Sequence, residues 1–414
     1  MNLALINIKQ LVTVHARGQV TKTESDMRNL GVIENAAVLT DKDVISWVGK
    51  MEDLPMGNLN EMEVIDCSQN VVMPGFVDAH THLVFAGSRE EEFALRSIGA
   101  TYEEIGKRGG GILSTVEHVR AASKKDLKKY ARTLLQSLMK HGTTTVEIKS
   151  GYGLTPRDEI KMLEAIKELQ REEVIGIVPT FLGAHAFPLE YKDRKSEYVR
   201  EIVENMLPYI SMHNLAEFCD VFCERGYFGL EDSEAILTEA KLLGLSPKVH
   251  AEQLSASGGT SLAASLGAIS ADHLEHITET GIKALVDADV VAVVLPGVSF
   301  FLNSRYAPAR DLIDGGAAVA IASDFNPGTC MSYDMPMMMT IACTHMQMAP
   351  EEAITASTLN AAAAINRSRD LGSIELGKKA DMVILDIPNY TYLPYHFGEN
   401  HVEKTIKDGV VFDF

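Results

Sequence analysis

The sequence lacks any long hydrophobic run. Spanning a bilayer takes roughly 20 consecutive apolar residues, and no apolar run of the 414-residue chain approaches that length. The first ten residues, MNLALINIKQ, also lack the basic and extended apolar regions of a secretory signal peptide. We therefore expect a cytoplasmic protein with no membrane partner.

Positive charge and cysteine are also scarce. Lys and Arg number 38 against 57 Asp and Glu, so the formal net charge is -19. Because such an acidic surface repels phosphate groups, the composition argues against a nucleic-acid partner. The five cysteines are scattered along the chain, and an odd number fits reduced thiols better than a disulfide framework.

The middle of the chain, residues 69–366, alternates strand-like and helical segments. Apolar residues recur every three or four positions in the intervening segments, as in 124–141 and 157–173, which predicts amphipathic helices. Eight such units in succession fit a closed (β/α)₈ TIM barrel. The eight β-rich runs are 71–80, 143–153, 175–185, 218–226, 246–253, 268–276, 290–297 and 318–328.

Both ends of the chain have a different pattern of predicted secondary structure. Residues 1–68 and 367–414 read as short strands separated by turns, with no helix-period segment of useful length. Two β-rich ends around a different middle predict one small β-sandwich domain assembled from both termini. The predicted catalytic barrel then covers residues 69–366.

Two histidines end the first predicted barrel strand. His80 and His82 are two positions apart, so on an extended strand their imidazoles share a face and could converge on one metal ion. A strand end with two hydrogen-bonded histidines is an equally good interpretation of this pair alone. Three further potential metal ligands are placed in the same way, however, because His250, His273 and Asp324 also follow β-branched runs. Barrel enzymes place their sites at the C-terminal ends of the strands, where all five residues fall.

Three imidazoles and one carboxylate suit Zn²⁺ or iron, with a water molecule completing the coordination. We predict that His80, His82, His250 and Asp324 bind a single divalent metal ion. A metal lowers the pKa of its bound water, so hydrolysis is the expected chemistry. Asp324 could also accept the proton of that water, and His273 could hydrogen-bond to the water or to the developing oxyanion.

The motif PGFVDAHTHL, the fifth-strand and sixth-strand histidines and the eighth-strand Ser-Asp pair resemble the amidohydrolase superfamily, and the resemblance covers the whole chain. It implies a TIM barrel with a split β domain. Members with two metals usually bridge them by a carboxylated lysine. The fourth strand here ends FCERG, without a lysine, so the resemblance favours one metal, zinc or iron (Fe²⁺ or Fe³⁺).

Further motifs are similar to the imidazolonepropionase family: HTHLVFAGSRE, KSGYGL, FLGAHAFP, VHAEQ, SADHLEH, ASDFNPGT and LPYHFGENHV. The resemblance implies a homodimer that opens the ring of a small-molecule substrate, 4-imidazolone-5-propanoate, to give N-formimidoyl-L-glutamate in L-histidine degradation. Arg89 suits bidentate binding of the propionate, although a solvated loop charge is the alternative. The other implied substrate contacts are Tyr152, His185, Gln253, Asn326, Gly328 and Thr329.

Gln253 separates this chain from the main enzymatic alternative, a mononuclear-metal nucleobase or aminohydrolase-type deaminase. Those enzymes have a proton-shuttling glutamate three residues after the strand-five histidine, and glutamine cannot take a proton at neutral pH. We therefore assign Gln253 to substrate binding in the catalytic site and proton transfer to Asp324 and His273, leaving a contribution from Glu252 open.

A third reading is a non-enzymatic metal-binding scaffold. The glycine run 109–111 is interpreted as an active-site loop rather than a phosphate cradle.

Overall fold

The computed structural model describes residues 2–55, 59–100 and 110–414, and these residues form two eight-stranded sheets. One sheet is parallel and comes from the middle of the chain. The other is mainly antiparallel and comes from both ends. The predicted fold class, a (β/α)₈ barrel with a small β domain built from both termini, is confirmed.

The barrel strands follow one another around the parallel sheet in chain order. The sheet closes where the first strand meets the last, since Asp324 N donates to His80 O at 3.0 Å and His82 N donates to Phe325 O at 2.9 Å. The strands are β6 (Phe76–Asp78), β7 (Thr143–Lys149), β8 (Gly176–Ala184), β9 (Phe218–Cys223), β10 (Ser246–Ala251), β11 (Ser270–His273), β12 (Val291–Val294) and β13 (Val319–Ile321).

Helices cover the outside of the barrel. In the helix Lys124–Lys140 the buried positions Leu127, Ala131, Leu135 and Leu138 recur every three or four residues, which gives one apolar stripe. The helices are α1 (Glu90–Ser97), α2 (Ile112–Ala121), α3 (Lys124–Lys140), α4 (Pro156–Glu172), α5 (Lys195–Glu201), α6 (Leu207–Met212), α7 (Leu230–Leu242), α8 (Gly259–Leu266), α9 (Glu279–Asp287), α10 (Pro296–Leu302), α11 (Ala309–Asp314), α12 (Met335–His345), α13 (Pro350–Ala356), α14 (Leu359–Ala363) and α15 (Tyr392–Tyr395).

The predicted first barrel strand divides at Gly75. Its first half is β5 (Val71–Pro74), which pairs with strands of the terminal sheet, and its second half is β6 of the barrel. Thr144 packs so closely at the junction that a Cβ on Gly75 would lie 2.3 Å from Thr144 Cγ2. The chain can therefore pass from one sheet to the other only with a glycine at this point.

The strands of the terminal sheet are β1 (Leu3–Val12), β2 (Val32–Asp41), β3 (Val44–Lys50), β4 (Glu63–Asp66), β5, β14 (Met382–Leu385), β15 (Val402–Lys407) and β16 (Val410–Asp413). Their order in the sheet is β16-β15-β14-β5-β1-β2-β3, with β4 paired to β1. The apolar core of this sheet is separate from that of the barrel and includes Leu5, Ile8, Val38 and Ile384. The domain boundaries at 68/69 and 366/367 stay a prediction.

Within the described ranges, no helix is both long enough and apolar enough to cross a membrane. Gly109, the first residue of the predicted active-site loop, lies outside the described residues. Gly110 and Gly111 lie inside them and lead directly into α2.

Candidate active site

The predicted site residues converge on one cavity at the C-terminal mouth of the barrel. Its volume is about 470 Å³. His80 and Gly328 do not line this cavity. The other predicted residues line the cavity: His82, Arg89, Tyr152, His185, His250, Gln253, His273, Asp324, Asn326 and Thr329.

His82, His250 and Asp324 line the cavity, and His80 lies against them without lining it. The ring nitrogens His80 Nε2 and His82 Nε2 lie 3.6 and 3.4 Å from Asp324 Oδ1. One ligand atom from each of His80, His82 and His250 lies within 4.8 Å of the others. Ligand atoms about 2.1 Å from a shared metal are separated by about 3.4 Å in a tetrahedron, so these side chains fit a single ion.

Several of these ligand atoms are buried without a hydrogen-bond partner among the described residues. They include His80 Nε2, His250 Nε2 and Asp324 Oδ1. An unpaired buried polar atom costs about 1–3 kcal/mol. A cation bound between them would satisfy all three atoms, so the donor set fits a metal.

A buried ionic network lies directly beneath the histidines. Lys149 Nζ lies 2.7 Å from Glu147 Oε1, 2.8 Å from Asp220 Oδ2 and 3.6 Å from Asp272 Oδ2, and all four side chains are fully buried. Lys248 Nζ lies 3.4 Å from Glu147 Oε1. The two lysines therefore neutralise only part of the negative charge at the base of the site.

The network contacts two of the site histidines. Asp272 Oδ2 lies 2.6 Å from His80 Nδ1, and Asp220 Oδ2 lies 3.0 Å from His250 Nδ1. The hydrogen bond to Asp272 fixes His80 Nδ1 and leaves His80 Nε2 for a metal, which is the usual arrangement around metal-binding histidines. The Asp220 carboxylate lies beside His250 Nδ1 at ion-pair distance. Burial lowers the pKa of His80 and of His250, so both rings are held in the neutral form that can coordinate a metal.

This network was not predicted from the sequence, although the sequence contains an indication of it, because each of its residues is a charged residue inside an apolar strand. The residues are Glu147, Lys149, Asp220, Lys248 and Asp272. Lys248 also stands two positions before His250, so both side chains must point to the barrel interior. Charged residues at such positions are almost never fully buried unless they are paired.

Asp324 and His273 have unusual backbones, with φ of 49° and 85°. Residues other than glycine rarely adopt positive φ, and such strain concentrates at functional sites. Burial raises the pKa of Asp324 to about 7. Although burial opposes it, the carboxylates of Glu275, Asp324 and Asp272 raise the pKa of His273. The two side chains are therefore buried titratable groups close to each other, with one ligand atom of each within 4.8 Å of the other.

Arg89 lies at the side of the cavity, where Arg89 Nη2 donates to Glu92 Oε2 at 2.7 Å. The side chain is buried rather than solvated, so its alternative interpretation as a solvated loop charge is wrong. Gly328 packs against the guanidinium, and a Cβ at that position would lie 2.1 Å from Arg89 Nη1. Arg96 Nη1 and Nη2 both donate to Gly328 O at 3.0 Å, which fixes the same turn.

Asn326 organises that turn from within. Asn326 Oδ1 accepts from Gly328 N and Thr329 N, both at 2.8 Å, and Asn326 Nδ2 donates to Asp324 O and Thr329 Oγ1, both at 2.7 Å. The side-chain bonds of Asn326 therefore hold the shape of the loop that begins at Asp324.

His185 and Tyr152 form the wall opposite Arg89 with the ring of His82. The His185 ring stacks on His82, with centroids 4.8 Å apart and an interplanar angle of 14°. Burial lowers the pKa of His185 to about 3, so the ring is neutral. Its Nδ1 donates to Gly151 O at 3.1 Å, which leaves Nε2 as an acceptor.

Gln253 lines the cavity, whereas its neighbour Glu252 does not. Glu252 Oε1 instead accepts from Thr260 Oγ1 at 2.8 Å, and the backbone of Glu252 has a φ of 57°. The strained backbone directs the two adjacent side chains to opposite sides of the loop. This placement gives Gln253, not Glu252, access to a substrate.

Comparisons with known proteins agree with this geometry. A sequence model of the Amidohydrolase family matches residues 71–412. The chain is 46% identical over 412 residues to an imidazolonepropionase from Geobacillus sp. (strain WCH70), covering 99% of this chain and 97% of that protein. It is 47% identical over 409 residues to an imidazolonepropionase from Clostridium tetani, with the same coverage.

Solved structures share the fold at low sequence identity. An atrazine chlorohydrolase from Arthrobacter aurescens complexed with zinc has a TM-score of 0.73 at 16% identity, covering 99% of this chain and 94% of that chain. An adenosine deaminase from Xanthomonas campestris with bound zinc has a TM-score of 0.70 at 18% identity, covering 99% and 92%.

Proposed function

This chain belongs to the Amidohydrolase family, among the imidazolonepropionases, and we propose that it hydrolyses 4-imidazolone-5-propanoate to N-formimidoyl-L-glutamate in L-histidine degradation. The chain is a metal-dependent hydrolase that acts on a small molecule with a cyclic amide. The observation that carries the proposal is that buried Arg89 shares one cavity with the metal-type cluster. This cluster consists of His80, His82, His250 and Asp324.

The proposed cofactor is one divalent metal ion held by His80, His82, His250 and Asp324. An excess of buried carboxylates over buried lysines at this place supports a bound cation, since Glu147, Asp220, Asp272 and Asp324 are buried with Lys149 and Lys248. Imidazole and carboxylate ligands suit zinc and iron, so we propose Zn²⁺ or Fe²⁺/Fe³⁺.

When bound, the metal would lower the pKa of a water molecule and polarise the ring carbonyl. Asp324 would accept a proton from the attacking water, because its carboxylate lies beside the histidine cluster and burial raises its pKa to about 7. His273 would donate a hydrogen bond to the oxygen on which negative charge develops. The proton taken by Asp324 would then pass to the ring nitrogen that leaves.

The proposed substrate contacts surround this centre. Arg89 would bind the propionate, since a guanidinium presents two parallel donors to a carboxylate. His185 Nε2 could accept a hydrogen bond from a ring N–H, and Tyr152 would complete that wall. Gln253 and the turn Asn326, Gly328 and Thr329 would offer amide, backbone and hydroxyl groups to the remaining polar atoms.

A turnover experiment tests the proposed function. Protein purified without added metal is analysed for zinc and iron, stripped with a chelator, reloaded with each metal and given 4-imidazolone-5-propanoate. We expect formation of N-formimidoyl-L-glutamate that is lost on stripping and restored on reloading. Ammonia release from cytosine, guanine or adenine without turnover of the imidazolone would instead establish the deaminase alternative.

A pair of variants locates the chemistry. Asp324→Asn keeps the shape of the side chain but cannot take the proton, so kcat should fall by at least about 100-fold. Asp287→Asn is the matched control, because Asp287 is 60% exposed and pairs with Lys283 on the outer surface. Full activity in Asp324→Asn would contradict the assignment of proton transfer to Asp324.

We also propose a cytoplasmic homodimer with no nucleic-acid or membrane partner. The net charge of -19 supports the exclusion of polyanions, and the resemblance to imidazolonepropionases supports the dimer. Sedimentation at several protein concentrations would test it, and a single monomeric species at micromolar concentration would exclude it.

A further inference from the structure

A short loop, residues 151–154, carries Tyr152 from the end of β7 to the start of α4. Its backbone does not pair with a neighbouring strand. Instead, three of its N–H groups donate to the carboxylate of Glu159, from Gly151 at 3.0 Å, Gly153 at 2.7 Å and Leu154 at 2.9 Å. Glu159 is fully buried, and the side chain of Ser150 is a further hydrogen-bond partner of its carboxylate.

The loop needs this anchor because its conformation is strained. Gly151 has a φ of 110° and Leu154 has a φ of 51°, and the second value is uncommon for a leucine. The loop also lies against the helix, since a Cβ on Gly153 would be 2.4 Å from Glu159 N. Strained residues persist only where surrounding contacts fix them.

The same loop sets the position of two cavity side chains. The Tyr152 ring lies in the cavity wall, with its centroid 5.3 Å from that of His185. His185 is tied to the loop by the bond from its Nδ1 to Gly151 O at 3.1 Å. A displacement of Gly151 would therefore move both side chains, while His80, His82 and His250 are held by other elements.

We propose that Glu159 is a positioning residue for substrate recognition, which binds the three loop N–H groups and thereby places Tyr152 and His185. The inference rests on the proposed function, because that function makes the two side chains substrate contacts. Glu159 itself touches neither the cavity nor the metal-type cluster.

The variant Glu159→Gln tests this role with little change in size. Among the loop N–H groups, those of Gly153 and Leu154 donate to Oε1, whereas that of Gly151 donates to Oε2. The amide would keep its oxygen on the first pair, so its NH₂ group would face Gly151 N–H, donor against donor. We expect the KM for 4-imidazolone-5-propanoate to rise about tenfold or more, with kcat changed less than about threefold and metal content unchanged.

The matched control is Glu164→Gln on the same helix. Glu164 pairs with Lys124 at 3.0 Å on the partly exposed side, away from the loop. This variant should have the KM of the wild type. An unchanged KM in a folded Glu159→Gln protein would overturn the inference.

Two further measurements keep the outcomes distinct. Gly153→Ala pushes the loop away from the backbone of Asp158 and Glu159 and should also raise KM. An unchanged KM in this variant would show that the loop does not position the substrate contacts, and it would overturn the inference even if Glu159→Gln does not fold. Hydrogen exchange of the peptide covering 150–155 should quicken in Glu159→Gln, and unchanged exchange would refute the anchoring. This readout needs no substrate, so failure of wild-type turnover would overturn the proposed function alone.

Discussion

Lys149 makes the strongest prediction about the stability of the site. Its ammonium group contacts Glu147, Asp220 and Asp272 in an interior that water does not reach. Although burial alone would lower it, these carboxylates raise the pKa of Lys149, so the lysine is charged. The variant Lys149→Met fills a similar volume and removes the charge together with the hydrogen bond to Glu147.

Removing one partner of a buried ion pair costs about 3–5 kcal/mol, because the remaining charge is left without compensation. Lys248 cannot replace Lys149, since it lies 3.4 Å from Glu147 and 3.9 Å from Asp272 and no contact joins it to Asp220 in the described residues. Unfolding entropy is about 2.1 cal/mol/K per residue, so for 414 residues this loss corresponds to a decrease in Tm of about 3–6 °C.

The assay is thermal unfolding of metal-stripped protein, followed by circular dichroism. Lys283→Met is the matched control, because Lys283 Nζ also lies 2.8 Å from a carboxylate, that of Asp287, but is 75% exposed. Its Tm should change by less than about 1 °C, as expected for a surface pair. Adding Asp220→Asn to Lys149→Met should recover part of the loss. Equal Tm values for Lys149→Met and the control would refute the reasoning.

Other predictions concern the cavity and the thiols. In Gly328→Ala the new Cβ would displace the Arg89 guanidinium, so KM for the imidazolone should rise at least about tenfold in steady-state kinetics, and a wild-type KM would show that Arg89 does not bind the substrate. Arg89→Lys should have a similar effect, because an ammonium group cannot bind a carboxylate bidentately. Burial raises the pKa of Cys67 and of Cys330 to about 12, so at pH 8 only about one in ten thousand of either thiol is ionised. Both should resist iodoacetamide in the native protein and react after unfolding; rapid native labelling at either position would contradict their burial.

The barrel could be predicted from sequence because each of its strands is a short apolar run between amphipathic helices. The ends of those runs also gave the site, since parallel strands bring their C-terminal residues to one mouth. His80, His250 and Asp324 are far apart in the chain, yet the eightfold alternation alone predicts that they meet. The structure brings a ligand atom of His80 within 4.8 Å of one from His250 in one group and of one from Asp324 in another, and their shared metal ion stays a prediction.

Two features escaped prediction for physical reasons. The run 71–80 was predicted as one strand. Pro74 and Gly75 mark a break in it, but they do not show that its two halves join different sheets. The sheet that the first half joins depends on its pairing with β14, which lies more than 300 residues away in the chain. The role of Glu159 was equally hidden. A glutamate in the first turns of an amphipathic helix reads as a surface charge, and only the packing of the preceding loop shows that it is buried.

The position of the ionic network explains why a barrel interior here contains charges. Interior layers of such barrels are usually filled by branched apolar side chains. A layer of that kind could not accept a hydrogen bond from His80 Nδ1. The imidazole ring could then rotate, and its Nε2 would no longer be held towards the proposed metal ion. A carboxylate such as Asp272 fixes the ring but adds a buried negative charge, which Lys149 and the proposed dication then compensate. The metal-type cluster and the charges beneath it are therefore one unit, in which the histidines cannot be placed without the carboxylates, nor the carboxylates without cations.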